Sequence, residues 1–229
     1  MRKIIAVIGL GRFGLGLVKA LSTKDVDVIA LDKDKNNVAK VGDFIENAVI
    51  CDSTNVDSLQ EAGLADADNA IIAFGQDTQA NIATTILTVV ALKKIGVKKI
   101  TCRIDDASYE DLLLRVGADA VISPFDIASE SLALKVSSKS VMDYYHISQG
   151  YDVFEIEIKK EVKPIALMEL NSPTRFGVNI ILYTRDRKTT TPTRDYVLMP
   201  GDHIFAFGME KGVYQLVNYL SERDEEENK

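Results

Sequence analysis

At 229 residues and 46% hydrophobic, the chain can bury one full core and a smaller second one. Its 27 Lys+Arg against 34 Asp+Glu give a formal charge of −7. That balance argues against nucleic acid or an anionic membrane as a partner, because a phosphate-binding face would show as a basic excess.

Met1-Arg2-Lys3 leads into only five apolar residues before Gly9, which reads as a strand and not a signal peptide. No apolar run reaches the roughly 18–20 residues of a spanning helix, so the expectation is a soluble, cytoplasmic protein. Lys3–Ile8 is a continuous apolar run, as for a strand buried on both faces. Arg12–Thr23 has apolar residues at helical spacing, and Val26–Leu31 is a second buried strand closed by Asp32. Asp34 caps a helix through about Val41, and Ala48–Cys51 is a short strand. Thr54 or Asn55 starts a helix that stops near Gly63. Ala70–Phe74 is the next strand, and Asp77 caps a long helix to Lys94. Lys99–Arg103, a helix over Ser108–Val116 and a strand at Ala120–Ile122 complete the series. Strands alternating with helical crossovers predict an α/β, Rossmann-like doubly wound parallel sheet over residues 1–123.

After Pro124 the pattern changes. Ile127–Lys139 reads as a helix, and 124–150 as a crossover helix and linker. From Tyr151 the period is two, with Phe154, Ile156 and Ile158 opposite Val153, Glu155 and Glu157. Ile180–Tyr183, Tyr196–Leu198 and His203–Gly208 follow as strands, and Lys211–Leu220 as a helix. Residues 151–221 therefore read as a small β-rich α+β domain, and 222–229 as an acidic, solvated tail. Cys51 and Cys102 have neither C-x-x-C spacing nor a nearby histidine, so two reduced, buried thiols and no metal site are expected.

Gly9-Leu10-Gly11-Arg12-Phe13-Gly14 is a G-x-G-x-x-G that follows a strand and opens a helix. In that setting the first glycine makes the turn, the second admits a diphosphate and the third lets the helix pack close, its N-terminus facing the phosphates. Asp32, with Lys33 beside it, ends the second strand, where a carboxylate accepts ribose hydroxyls and repels a 2′-phosphate. Asp52 and Ser53 end the third strand on the adenine side, where Asp52 can accept from the adenine amine. Phe74, Gly75 and Gln76 end the fourth strand, with Gly75 permitting close backbone approach; Asp52 and Asp77 can equally be plain helix caps. Arg12 adds charge beside a terminal phosphate, which suits ATP or ADP at least as well as NAD or NADH, and Arg103 ends the fifth strand toward the same edge. There is no Walker lysine, no G-x-S-x-G and no H-E-x-x-H, and neither His146 nor His203 has a catalytic setting. No catalytic residue is assigned, and a sensor is favoured over an enzyme.

With its glycine loop, Asp32, the Cys51-Asp52-Ser53-Thr54 turn, Glu61-Ala62-Gly63-Leu64 with Asp66-Ala67-Asp68, and Arg115-Val116-Gly117-Ala118-Asp119, the chain resembles a known family. These are the cytoplasmic regulatory subunits of bacterial Ktr and Trk potassium uptake systems, built from an RCK (regulator of conductance of potassium) N-terminal and a small RCK C-terminal domain. The resemblance covers nearly the whole chain. It implies dimers assembling into an octameric ring, peripheral to the inner face of the membrane, on a membrane-embedded potassium-pore subunit. It also implies that ATP favours the conducting state and ADP the inactive one. The family's nucleotide contacts fall on Gly9, Gly11, Arg12, Gly14, Asp32, Asp52, Ser53, Phe74, Gly75, Gln76 and Arg103, with Arg12 reaching the γ-phosphate of a neighbour's nucleotide. Members activated by a divalent cation carry a glutamate where this chain has Phe125. Several relatives bind cyclic di-AMP in the C-terminal domain. The matching contacts are Asn179 and Pro192, with Arg175 substituting for an arginine whose place Pro173 takes. The alternatives are an NAD-dependent oxidoreductase with a reduced second domain and a free-standing cyclic di-AMP receptor.

Overall fold

In this computed structural model the structure describes residues 2–75, 79–137, 140–148 and 150–222. The chain divides into two compact units, Met1–Ile127 and Ala128–Lys229. The first contains β1 (Lys3–Ile8), α1 (Arg12–Leu21), β2 (Val26–Asp32), α2 (Lys35–Ala39), β3 (Asn47–Ile50) and α3 (Val56–Glu61). It continues with β4 (Asn69–Ile72), α4 (Gln79–Ile95), β5 (Ile100–Arg103), α5 (Glu110–Val116) and β6 (Ala120–Ile122). All six strands pair in parallel in the order β3-β2-β1-β4-β5-β6.

The unbroken apolar runs follow from cores on both sheet faces. Ala6 and Ile8 of β1 join Ile29, Leu31, Ile72 and Ile100 in one core, while Val7 joins Val28, Ala30, Leu10 and Val18 in the other. A strand covered on both faces has no polar side to show. Side-chain caps set the helix starts: Asp34 accepts from Asn36 N–H, Asn55 from Ser58 N–H and Asp106 from Ser108 N–H. Two acidic segments that carry the family resemblance have a plain structural task. Asp68 accepts from Ile4 N–H and Lys98 Nζ, and Asp119 from Ile100 N–H and Lys93 Nζ, so each carboxylate ties the start of a neighbouring strand.

α6 (Pro124–Ser137) leads from the first unit into the second. The second unit then contains β7 (Val141–Ser148), β8 (Tyr151–Glu157), β9 (Ile165–Ala166), α7 (Leu167–Leu170) and α8 (Ser172–Phe176). β10 (Asn179–Arg185), β11 (Lys188–Thr190), β12 (Val197–Leu198), β13 (His203–Met209) and α9 (Glu210–Glu222) complete it. An antiparallel sheet runs β11-β10-β13-β8-β7, and β12 pairs with β9. Phe154, Ile156 and Ile158 are buried, as the period-two pattern predicts, and Val213, Leu216 and Leu220 of α9 join them in the core.

One boundary needs correction: residues 141–148 are not linker but a strand, paired with β8 from Val141 opposite Ile156 to Ser148 opposite Tyr151. Register irregularities at Val141/Asp143 and His146/Ser148 break the alternation that would have marked it. A second feature had no sequence signal. Asp202 is buried and accepts from Arg185 Nε at 2.7 Å, Arg185 Nη2 at 2.7 Å, Tyr196 Oη at 2.8 Å and Met199 N–H at 2.8 Å. Burial pushes this carboxyl upward, but the Arg185 pair and the other donors outweigh it and hold it below the ordinary value. Arg185 also donates to Val197 O, so the cluster ties β10 to β12 and to the turn before β13.

Candidate functional site

The strand order reverses direction of growth between β1 and β4, and their carboxyl ends open a crevice there. A cleft of about 510 Å³ lies at this place. The glycine loop forms its floor. Gly9 has φ +93°, and a Cβ on it would stand 2.7 Å from Phe74 Cδ1. A Cβ on Gly14 would overlap the carbonyl oxygen of Gly9, so only glycine lets α1 start this close to β1. Gly11 meets nothing within 4 Å where its Cβ would be, leaving open space over the loop. It caps α1 without any side-chain hydrogen bond, so the first-turn N–H groups and the positive end of the helix dipole remain to meet an anion.

Asp32 closes one side of the cleft. Its Oδ2 accepts from Leu10 N–H at 2.7 Å and Asn37 Nδ2 at 3.2 Å, and its Oδ1 from Asp34 N–H at 2.8 Å. Lys33 lines the same wall. Asp52 accepts from the N–H and the hydroxyl of Thr54, and these bonds hold its carboxyl below the ordinary value. It is thus not the cap of α3, a task that Asn55 performs. Ser53 lines the cleft but is buried, its hydroxyl 2.8 Å from that of Thr88. Phe74 and Gly75 form the opposite wall, and Gly75 O accepts from Asn81 Nδ2 at 2.7 Å. Gln76 and Asp77, expected to continue this wall and to cap α4, lie outside the described residues.

The cleft thus gathers Gly9, Gly11, Asp32, Lys33, Asp52, Ser53, Phe74 and Gly75. It also recruits Cys51, the first residue of the Cys51-Asp52-Ser53-Thr54 turn, and Asn37, Asn81, Thr84 and Leu87, which belong to no motif; only the helical spacing of Thr84 and Leu87 with Asn81 could have placed them on one face. Four expected residues stand outside the lining: Gly14, which packs under the loop against Gly9, and Arg12, Phe13 and Arg103. Arg12 is exposed at the first position of α1. Phe13 turns to Arg103, whose guanidinium lies 5.1 Å from its ring and 5.5 Å from that of Phe125. Arg103 does not point freely to the phosphate edge. It bonds Asp105 at 2.7 Å and sits behind Gly75, where a Cβ would come 3.1 Å from its Nη1. Among the described lining residues Lys33 is the one cation, against Asp32 and Asp52.

The three residues of the second expected site are in the C-terminal unit. Arg175 stacks on Tyr219 at 4.0 Å and Phe176 at 5.1 Å, Asn179 opens β10, and Pro192 stands between β11 and β12. His146 pairs with Asp152 at 2.7 Å and His203 with Glu155 at 3.3 Å. Both cysteines are buried and unpaired. Burial pushes the thiol of Cys51 up and that of Cys102 to about 12. Among the described residues no helix is long and apolar enough to cross a membrane.

The TrkA-N domain model matches residues 5–124 and the TrkA-C domain model residues 154–221. The chain is 33% identical to Ktr system potassium uptake protein C of Bacillus subtilis (strain 168), over 91% of this chain and 93% of that protein. It is 28% identical to Ktr system potassium uptake protein A of Vibrio alginolyticus, over 87% and 92%. Among solved structures it superimposes on the GsuK channel with a TM-score of 0.67 at 16% identity, and on that channel bound to NAD with 0.65 at 16%. Each superposition covers 96% of this chain but only 39% and 40% of the channel, so the likeness is one of fold with part of a longer protein.

Proposed function

The chain belongs to the family of Ktr and Trk potassium uptake proteins with TrkA-N and TrkA-C domains, and from that premise we propose that it is their nucleotide-sensing regulatory subunit. It binds ATP or ADP in the glycine-loop cleft and controls a membrane-embedded potassium pore. The observation that carries the reading is the cleft itself: an open helix N-terminus over Gly11 for the phosphates and, across from it, the Asp32 carboxylate for the ribose. The near full-length match to proteins of Ktr potassium uptake systems supports a membrane pore as the partner class.

In this reading the first-turn N–H groups of α1 hold the diphosphate, Asp32 accepts from the ribose, and the Asp52–Ser53 wall faces the adenine. The γ-phosphate of ATP extends past the loop toward Arg12, whose exposure outside the cleft suits a contact made only with the longer ligand, its own or a neighbour's. The difference in binding energy between ATP and ADP then biases an oligomeric ring assembled from dimers, and the ring acts on the pore. Cyclic di-AMP is a second ligand for the C-terminal unit, with Arg175, Asn179 and Pro192 as its contacts. The reaction class assigned is binding, with no catalysis.

Thermal melts with ATP, ADP, NADH and cyclic di-AMP, titrated separately, test this. A ligand at 100 times its dissociation constant adds about 2.7 kcal/mol to the state it binds. Stabilisation by ATP and ADP, with an additive effect of cyclic di-AMP, is expected. A nicotinamide dinucleotide is the second reading, since the GsuK channel of like fold is described bound to NAD; stabilisation by NADH alone would favour it.

A further inference from the structure

The Asp32 carboxylate is less open than its motif position implies. A carboxylate offers about four acceptor sites, two on each oxygen. On Oδ2 both are taken, by Leu10 N–H at 2.7 Å and by the side chain of Asn37 at 3.2 Å; on Oδ1 one is taken, by Asp34 N–H at 2.8 Å. Two of these donors are backbone groups of the glycine loop and of the turn into α2, and any residue type there would supply them. The third is a side chain. Asn37 lines the cleft and is itself held, its Oδ1 accepting from Lys40 Nζ at 2.8 Å. Among the described residues, one acceptor site of Asp32 is left, on Oδ1.

We propose that Asn37 is a specificity-determining residue: by occupying Oδ2 of Asp32 it leaves the carboxylate one open site, so that Asp32 reads one ribose hydroxyl of the bound nucleotide and not the diol. Asn37 is thus a positioning residue acting through Asp32. The inference rests on the nucleotide reading of the cleft. It adds a distinction that the glycine loop and the carboxylate alone do not make, because an unencumbered carboxylate would take both hydroxyls. It also explains why an amide, which donates to a carboxylate and carries no charge, suits position 37 better than a lysine. An ammonium there would neutralise the group that repels a 2′-phosphate.

The test is calorimetric titration of the native chain and of Asn37→Ala with ADP, 2′-deoxy-ADP and 3′-deoxy-ADP. A hydrogen bond to a charged acceptor is worth about tenfold or more in affinity. The native protein is expected to lose about tenfold with one deoxy analogue and no more than about twofold with the other. Asn37→Ala, with Oδ2 opened, is expected to lose about tenfold with both. The ratio between the analogues, unlike the affinity itself, does not move if the substitution merely loosens α2. Equal losses with both analogues in the native protein would overturn the inference, as would an unchanged ratio in Asn37→Ala. Failure of the native chain to bind any of the three would overturn the nucleotide reading, and is distinguishable because no ratio then exists.

Discussion

Gly14 and Gly16 stand two residues apart in α1, and the structure gives their alanine variants opposite signs. At Gly14 an added Cβ runs into the carbonyl oxygen of Gly9 and comes within 3.0 Å of its carbonyl carbon and 3.4 Å of Ala73 Cβ. All of these are backbone or short rigid groups, so α1 must draw back from β1 by about 1 Å, in a core that transmits strain rather than absorbing it. Overpacking of this kind costs about 1–3 kcal/mol. At Gly16 there is nothing within 4 Å, so Gly16→Ala gains only the lower backbone entropy cost, about 0.5–1 kcal/mol. The two variants should therefore separate by about 3 kcal/mol, or roughly 10 °C in the melting of a unit of this size. Scanning calorimetry of the full chain, with each unit's transition assigned separately, measures this. Gly14→Ala should also weaken ADP binding, because the retreat of α1 moves its first-turn N–H groups away from the diphosphate. Equal stabilities for the two variants would refute the close packing of α1 on the loop, and with it the account of why the third glycine is needed.

Asp32→Ala should weaken ADP about tenfold to a hundredfold in calorimetric titration, the worth of a charged hydrogen bond, while the fold survives. Asp202→Asn should destabilise the C-terminal unit by about 1–2 kcal/mol, read in denaturant by tyrosine fluorescence, since it removes the charge of a buried carboxylate from its bonds to the half-exposed Arg185. The folded-state value of Asp202 is depressed, so its contribution is fully present above the unfolded value near pH 4 and is lost as the pH falls through the folded value. The melting of that unit should accordingly drop in acid, and Asp202→Asn should flatten the drop. Cys51 lines the cleft and Cys102 does not, so ADP should slow alkylation of Cys51 in the native protein and leave Cys102, whose thiol burial pushes to about 12, equally inert with and without it.

The parallel sheet was legible because its physics is local. Strands such as Lys3–Ile8, covered on both faces, must be apolar throughout, and caps such as Asp34 and Asn55 must be short polar side chains. The glycine loop and Asp32 were legible for the same reason, since backbone geometry there restricts the residue type. What was hidden depends on contacts between distant segments. The strand at 141–148 owes its place to β8 and carries bulges that blur its alternation. Asp202 carries no signal where it follows Pro200-Gly201, and only the folded chain brings Arg185, from 17 residues upstream, onto it. Arg103 looked like a phosphate ligand at a strand tip, yet Asp105, Phe13 and Phe125 hold it behind the wall of the cleft. Asn37 gave no signal, because its partner is a carboxylate five residues earlier that the motif assigns wholly to the ligand.

Potassium flux through the cognate pore subunit, reconstituted in vesicles with this chain on the outer face, is the direct test of nucleotide gating. Flux should rise with ATP and fall when ADP replaces it, and Arg12→Ala should bind ADP normally but give the same flux with either nucleotide. Flux indifferent to ATP and ADP in the native protein, with the chain shown to be bound to the pore, would contradict nucleotide gating.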